Sequence, residues 1–110
     1  MTRLLLAGCT FLIALPLRAA EPDFSFFETR IRPVLVERCY ECHGEKKQKG
    51  GLRLDSKAAL LKGGDSGPAV VPGNPDDSLL MRALRHETVK MPPDARLPDA
   101  VLADFATWIG

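Results

Sequence analysis

Cys39-Tyr40-Glu41-Cys42-His43 is the stretch of this 110-residue chain from which its fold can be read. Cysteines three positions apart share one face of a helical turn. The next residue, His43, adds an imidazole to the same turn. Two thiols and a histidine in the order C-x-x-C-H are the attachment sequence for a c-type haem. The thiols reach the two porphyrin vinyl groups as thioethers, and His43 turns toward the iron as proximal ligand.

Two other chemistries use C-x-x-C. A redox dithiol of the thioredoxin type expects a βαβ context, and no alternation of strand and helix patterns is visible in this sequence. A structural zinc site wants four ligands. Cys39, Cys42, His43 and His86 are the candidates for one, at an unusual spacing, because the remaining cysteine is Cys9.

The N-terminal stretch predicts export. Arg3 supplies a positive charge, residues 4–15 are almost wholly apolar, and Pro16 interrupts them before Leu17-Arg18-Ala19-Ala20. This is the pattern of a secretory signal over residues 1–20, cleaved after Ala19 or Ala20, or retained as an anchor. The run is too short and wrongly flanked for a stable membrane span. Leu6-Ala7-Gly8-Cys9 resembles a lipoprotein box, but the apolar run continues beyond Cys9, so Cys9 reads as part of that run. Export agrees with haem attachment, since an unprotected C-x-x-C tends to close to a disulfide in an oxidising compartment.

Residues 21–110 then form one small domain. Arg3 and Arg18 lie outside it, which leaves it 13 of the chain's 15 Lys plus Arg against all 14 Asp plus Glu. With no basic excess, nucleic acid is not an expected partner. Eight of nine glycines and eight of nine prolines fall in this domain, so loops take much of its length. So small and loop-rich a chain buries little core of its own. A haem would supply the missing interior, and the chain without it is expected to be largely unfolded.

Apolar residues recur at Phe27, Ile31, Val34, Leu35 and Cys39, the spacing of an amphipathic helix that feeds the haem turn. Pro33 either starts its second part or kinks it. Gly44 is expected to end this helix, followed by a charged loop over 45–51. Lys46, Lys47 and Lys49 there read as a solvated face or as a docking patch for an acidic partner. Leu52-Arg53-Leu54 reads as extended. Asp55-Ser56 can cap a helix over 57–62, stopped by Gly63-Gly64. Ala69-Val70-Val71 is expected on the haem edge. Side chains of 74–78 can cap a helix over 79–84 that ends near His86. A last helix opens at Leu97-Pro98-Asp99 and buries Val101, Leu102, Phe105, Trp108 and Ile109. The fold class is all-α: three to four short helices and long Gly/Pro-rich loops around one covalent haem, the first and last helices packed together.

Met91 is the expected distal iron ligand. It lies well downstream of His43, in a loop that Pro92-Pro93 stiffens. Met81 stands mid-helix among Leu79, Leu80 and Leu84 and reads as core. His86 sits between Arg85 and Glu87 and reads as solvated, as does Asp94, so no catalytic acid–base pair is assigned.

Together these residues resemble the Planctomycete cytochrome c domain family. The matching segments are Ile31-Arg32-Pro33-Val34-Leu35, residues 39–44, Gly50-Gly51-Leu52-Arg53-Leu54-Asp55-Ser56 and residues 63–68. They continue with Val71-Pro72-Gly73-Asn74-Pro75, Ser78-Leu79-Leu80, Lys90-Met91-Pro92-Pro93 and Trp108-Ile109-Gly110. The resemblance implies haem attachment at Cys39 and Cys42, proximal ligation by His43 and distal ligation by Met91. Family members usually continue into larger exported proteins. The resemblance therefore implies either a stand-alone domain or the N-terminal module of a larger chain. One-electron transfer with a redox partner protein or a fused catalytic domain is the expected function. The alternatives are a haem enzyme or gas sensor with a labile sixth ligand, and a non-haem zinc or disulfide module.

Overall fold

Pro33 shapes the first element. In an uninterrupted α-helix its ring would meet the carbonyl four residues earlier, and it has no N–H to donate. The computed structural model, which describes residues 7–14 and 24–110, answers with a π-helical turn over Phe27–Ile31. The Arg32 N–H reaches back to the Phe27 carbonyl across this widened turn. Helix α1, Arg32–Arg38, then starts with Pro33 in its first turn, where no donor is required. Three further α-helices follow: α2 Lys57–Lys62, α3 Leu79–Leu84 and α4 Asp99–Ile109, with a 3₁₀ turn at Lys49–Gly51. Among the described residues there is no strand. Isolated bridges join His43 to Gln48 and Gly64 to Gly67. The architecture is all-α, as expected.

The helix limits follow local chemistry. Ser56 caps α2, its hydroxyl accepting from the Ala59 N–H at 3.1 Å. Gly63 ends α2 at φ +70, and a Cβ there would overlap the Gly67 carbonyl, so only glycine fits. Capping of α3 differs from expectation. Ser78 precedes it but turns its buried hydroxyl away from the helix, accepting from the Val71 N–H and donating to the Asn74 carbonyl, both at 2.9 Å. The 71–78 loop carries polar backbone groups inward, and satisfying them outweighs capping a short helix.

The core joins Ile31 and Leu35 to Leu54, Leu60, Ala69, Val70, Leu80, Met81, Leu84, Leu97, Leu102, Phe105 and Ile109. The first and last helices pair as expected, with the contact made at the π-helical turn: the Phe27 and Trp108 rings pack tilted at 5.4 Å, and Phe105 meets Trp108 edge-on at 6.1 Å. Residues 69–71 divide between core and surface. Val71 is exposed, while Ala69 and Val70 turn inward and their N–H groups bond to the Leu60 carbonyl at 3.0 and 3.3 Å.

Residues 7–14 are exposed and irregular. The rest of the expected signal, residues 1–6 and 15–20, lies outside the described residues. Among the described residues, no helix is long and apolar enough to cross a membrane.

Candidate haem-attachment site

Helix α1 ends at Arg38, earlier than the Gly44 boundary read from the sequence. The Cys39 and Tyr40 N–H groups both donate to the Leu35 carbonyl, at 3.0 and 2.9 Å, and Cys39 leaves helical geometry at φ −124. A second, separate turn follows: the Cys42 and His43 N–H groups converge on the Cys39 carbonyl at 3.2 and 3.0 Å. The two thiols are thus carried by this turn. Gly44 closes it at very short range, since a Cβ there would stand 2.5 Å from the Tyr40 carbonyl oxygen.

His43 is held on three sides. Its N–H donates to Cys39, its carbonyl accepts from the Leu54 N–H at 2.9 Å, and its Nδ1 lies 3.3 Å from the Leu52 carbonyl oxygen. A carbonyl oxygen only accepts, so Nδ1 carries the proton. In the neutral ring this leaves the lone pair on Nε2, the tautomer that binds a metal while its other nitrogen is anchored by a backbone carbonyl. The loop over 45–51 is tied to the same turn. Gly44 donates to the Lys47 carbonyl at 2.9 Å and Lys49 to the Cys42 carbonyl at 3.0 Å.

The Cys39 thiol does not suit the dithiol reading. A redox cysteine needs a lowered pKa to supply thiolate. Burial instead pushes the Cys39 thiol up to about 11, against a smaller lowering influence from Arg38. The zinc reading fares no better: among the described residues, no group of three or more His, Cys, Asp or Glu side chains is placed to hold a metal ion. A charged cleft of about 460 Å³ beside α2, lined by Gln48, Arg53, Asp55 and Lys62 among others, includes none of Cys39, Cys42, His43 or Met91.

Met91 is half-buried beyond α3, its N–H 3.3 Å from the Ala83 carbonyl oxygen. Its peptide bond to the buried Pro92 is cis. Three residues on, Asp94 meets the Arg38 guanidinium at 3.4 Å. Arg38 directly precedes Cys39, so this exposed pair joins the segment after Met91 to the residue before the cysteine turn. The Asp94 carboxyl is held below its ordinary pKa by its own backbone N–H and by Arg38. Met81 has no exposed surface and packs in the core, as expected.

His86 departs from the sequence reading. It is half-buried at φ +59, and its Nε2 is buried with no hydrogen-bond partner. The sequence carried no signal of this, because its charged neighbours suggested solvent. Nor did it announce the Leu52 carbonyl as the His43 partner, or the Arg38–Asp94 pair 56 residues apart.

The donor set fits a haem c: paired thiols on one turn and an imidazole whose Nε2 is left for iron. No curated protein and no solved structure matches the chain. The sequence model of one family, described as Planctomycete cytochrome C, matches residues 39–95. That span begins at the first cysteine of the turn, runs through the Met91 loop and its Asp94 tether, and takes in more than half of the 110 residues. The chain belongs to the Planctomycete cytochrome C family.

Proposed function

We propose that this chain is an exported monohaem c-type cytochrome domain that carries single electrons with His43/Met91 axial ligation. The observation that supports this most strongly is the anchored His43 ring, with Nδ1 on the Leu52 carbonyl and Nε2 free, directly after Cys42. Bound haem would supply a one-electron iron couple. Cys39 and Cys42 would hold it through two thioethers, and His43 would donate Nε2 to the proximal face. Met91 would fill the sixth position with a neutral thioether, which favours ferrous iron and leaves no open coordination site for oxygen or peroxide. The chain's own work is to bind, orient and enclose the cofactor. The electron would pass to a redox partner protein or to a fused catalytic domain. The secretory pattern of residues 1–20 supports a periplasmic or secreted location for residues 21–110.

The test is a visible spectrum of exported protein before and after denaturation and acid extraction. Haem retained by wild type and lost from a Cys39→Ala, Cys42→Ala double variant is the expected result. Release of haem from denatured wild type defeats the assignment. Met91→His should lower the midpoint potential, because imidazole donates more strongly to ferric iron. If Met91 variants change neither spectrum nor potential, and ferrous wild type binds carbon monoxide readily, the haem enzyme or sensor reading replaces electron transfer.

A further inference from the structure

A buried ring nitrogen without a partner carries an uncompensated desolvation cost. His86 Nε2 is in that state, on a residue that also sits in the left-handed region at φ +59. Its place in the fold is informative. The His86 N–H and the Met91 N–H both donate to the Ala83 carbonyl, at 3.0 and 3.3 Å, so His86 is tied to the base of the loop that presents Met91. We infer that His86 is a second haem-binding residue, its Nε2–H donating a hydrogen bond to a propionate carboxylate of the haem. This rests on the proposed haem attachment.

The chemistry narrows the choice of partner. A haem brings two kinds of polar centre, its iron and its carboxylates. On this side of the chain the iron is allotted to Met91. The remaining carboxylates need donors wherever protein covers them. Guanidinium groups are the usual donors, but Arg32, Arg38, Arg53, Arg82, Arg85 and Arg96 already pair with Glu28, Asp94, Asp55, Asp77, Asp76 and Asp99, which leaves outside these pairs only Arg30 among the described arginines, on the π-helical turn at the start of the domain. The unpartnered His86 Nε2 beside the Met91 loop meets the requirement in the tautomer that places the proton on it. A hydrogen bond to an ionised acceptor is also stronger than a neutral one.

The experiment uses holoprotein with ¹⁵N-labelled histidine, after haem retention on denaturation has been established for wild type. A loss of haem at that earlier step would defeat the attachment reading and is scored separately. In the ferrous state, the His86 Nε2–H should be slow to exchange and show nuclear Overhauser contacts to the propionate methylene protons. His86→Phe should remove that resonance and lower the midpoint potential, since a less neutralised carboxylate favours ferric iron. It should also raise the unfolded fraction at fixed denaturant about tenfold or more. His86→Gln, which keeps an N–H donor, should recover part of the potential. A fast-exchanging Nε2–H, absent propionate contacts, or an unchanged potential in His86→Phe would overturn the inference. So would a nitrogen sixth ligand in Met91→Ala that disappears on adding His86→Phe, which would assign Nε2 to iron.

Discussion

Replacing Gly44 with alanine probes the cysteine turn at its tightest point. A Cβ there would stand 2.5 Å from the Tyr40 carbonyl oxygen and 3.3 Å from its carbon, where ordinary contact begins near 3.4 Å. The closest approach is therefore short by about 0.9 Å, the difference between 3.4 and 2.5 Å. Both opposing atoms are backbone, so no rotamer change relieves the overlap and the 39–44 turn must open. Forced overpacking of this kind costs about 1–3 kcal/mol. Opening the turn also strains the His43 N–H bond to Cys39 and the Nδ1 contact with Leu52, and loss of either adds about 1 kcal/mol. The expected total is roughly 2–4 kcal/mol of holoprotein stability, with a shifted midpoint potential because the His43 ring loses its anchor. The assay is denaturant unfolding followed by haem absorbance, together with potentiometry. Gly50→Ala is the control: it sits at φ +65 with nothing within 4 Å of its added Cβ. Left-handed alanine should cost about 1–2 kcal/mol and leave the potential alone. If Gly44→Ala keeps wild-type stability and potential, or both variants shift the potential alike, the turn does not position His43.

Phe105 has no exposed surface and lies edge-on to Trp108, so Phe105→Ala should remove about 3–5 kcal/mol. An unchanged denaturation midpoint would show that α4 does not anchor the core. Ser78→Ala strands the Val71 N–H and the Asn74 carbonyl and should cost about 1–3 kcal/mol. Amide exchange at Val71 should accelerate, and an unchanged rate would remove Ser78 as the loop's staple. Asp94 has a lowered pKa in the fold, so its contribution is present above the ordinary value of 3.8 and is lost as pH falls through the folded value. Acid titration of the haem spectrum should therefore show the Met91 loop loosening below that range. Asp94→Asn should abolish this acid step, and an identical titration curve in the variant would separate Asp94 from the loop.

The readings that held were those decided by neighbours three or four residues away. Ile31 and Leu35 are buried with Phe27 packed half-buried against the same core, because residues at that spacing share a side of the helix whatever surrounds them. Ser56 and Gly63 bound α2 because a hydroxyl three residues from an orphan N–H, and a residue free to take positive φ, are local requirements. Met81 as core within an apolar helix belongs to the same class.

Tertiary structure decided whatever depended on chain closure. Where α1 stops, the carbonyl that orients His43, the pairing of Arg38 with Asp94 and the diversion of Ser78 from capping all involve partners brought in by folding. The burial of His86 is the clearest case. Flanked by Arg85 and Glu87, it carries a sequence pattern that points to solvent. The α3 end and the Met91 loop share the Ala83 carbonyl, and that closure turns Nε2 inward. Local pattern thus specified the elements and the cysteine–histidine turn. Contacts distant in the chain set the partners of each polar group, because a buried donor or acceptor must be matched by whatever the completed fold places beside it.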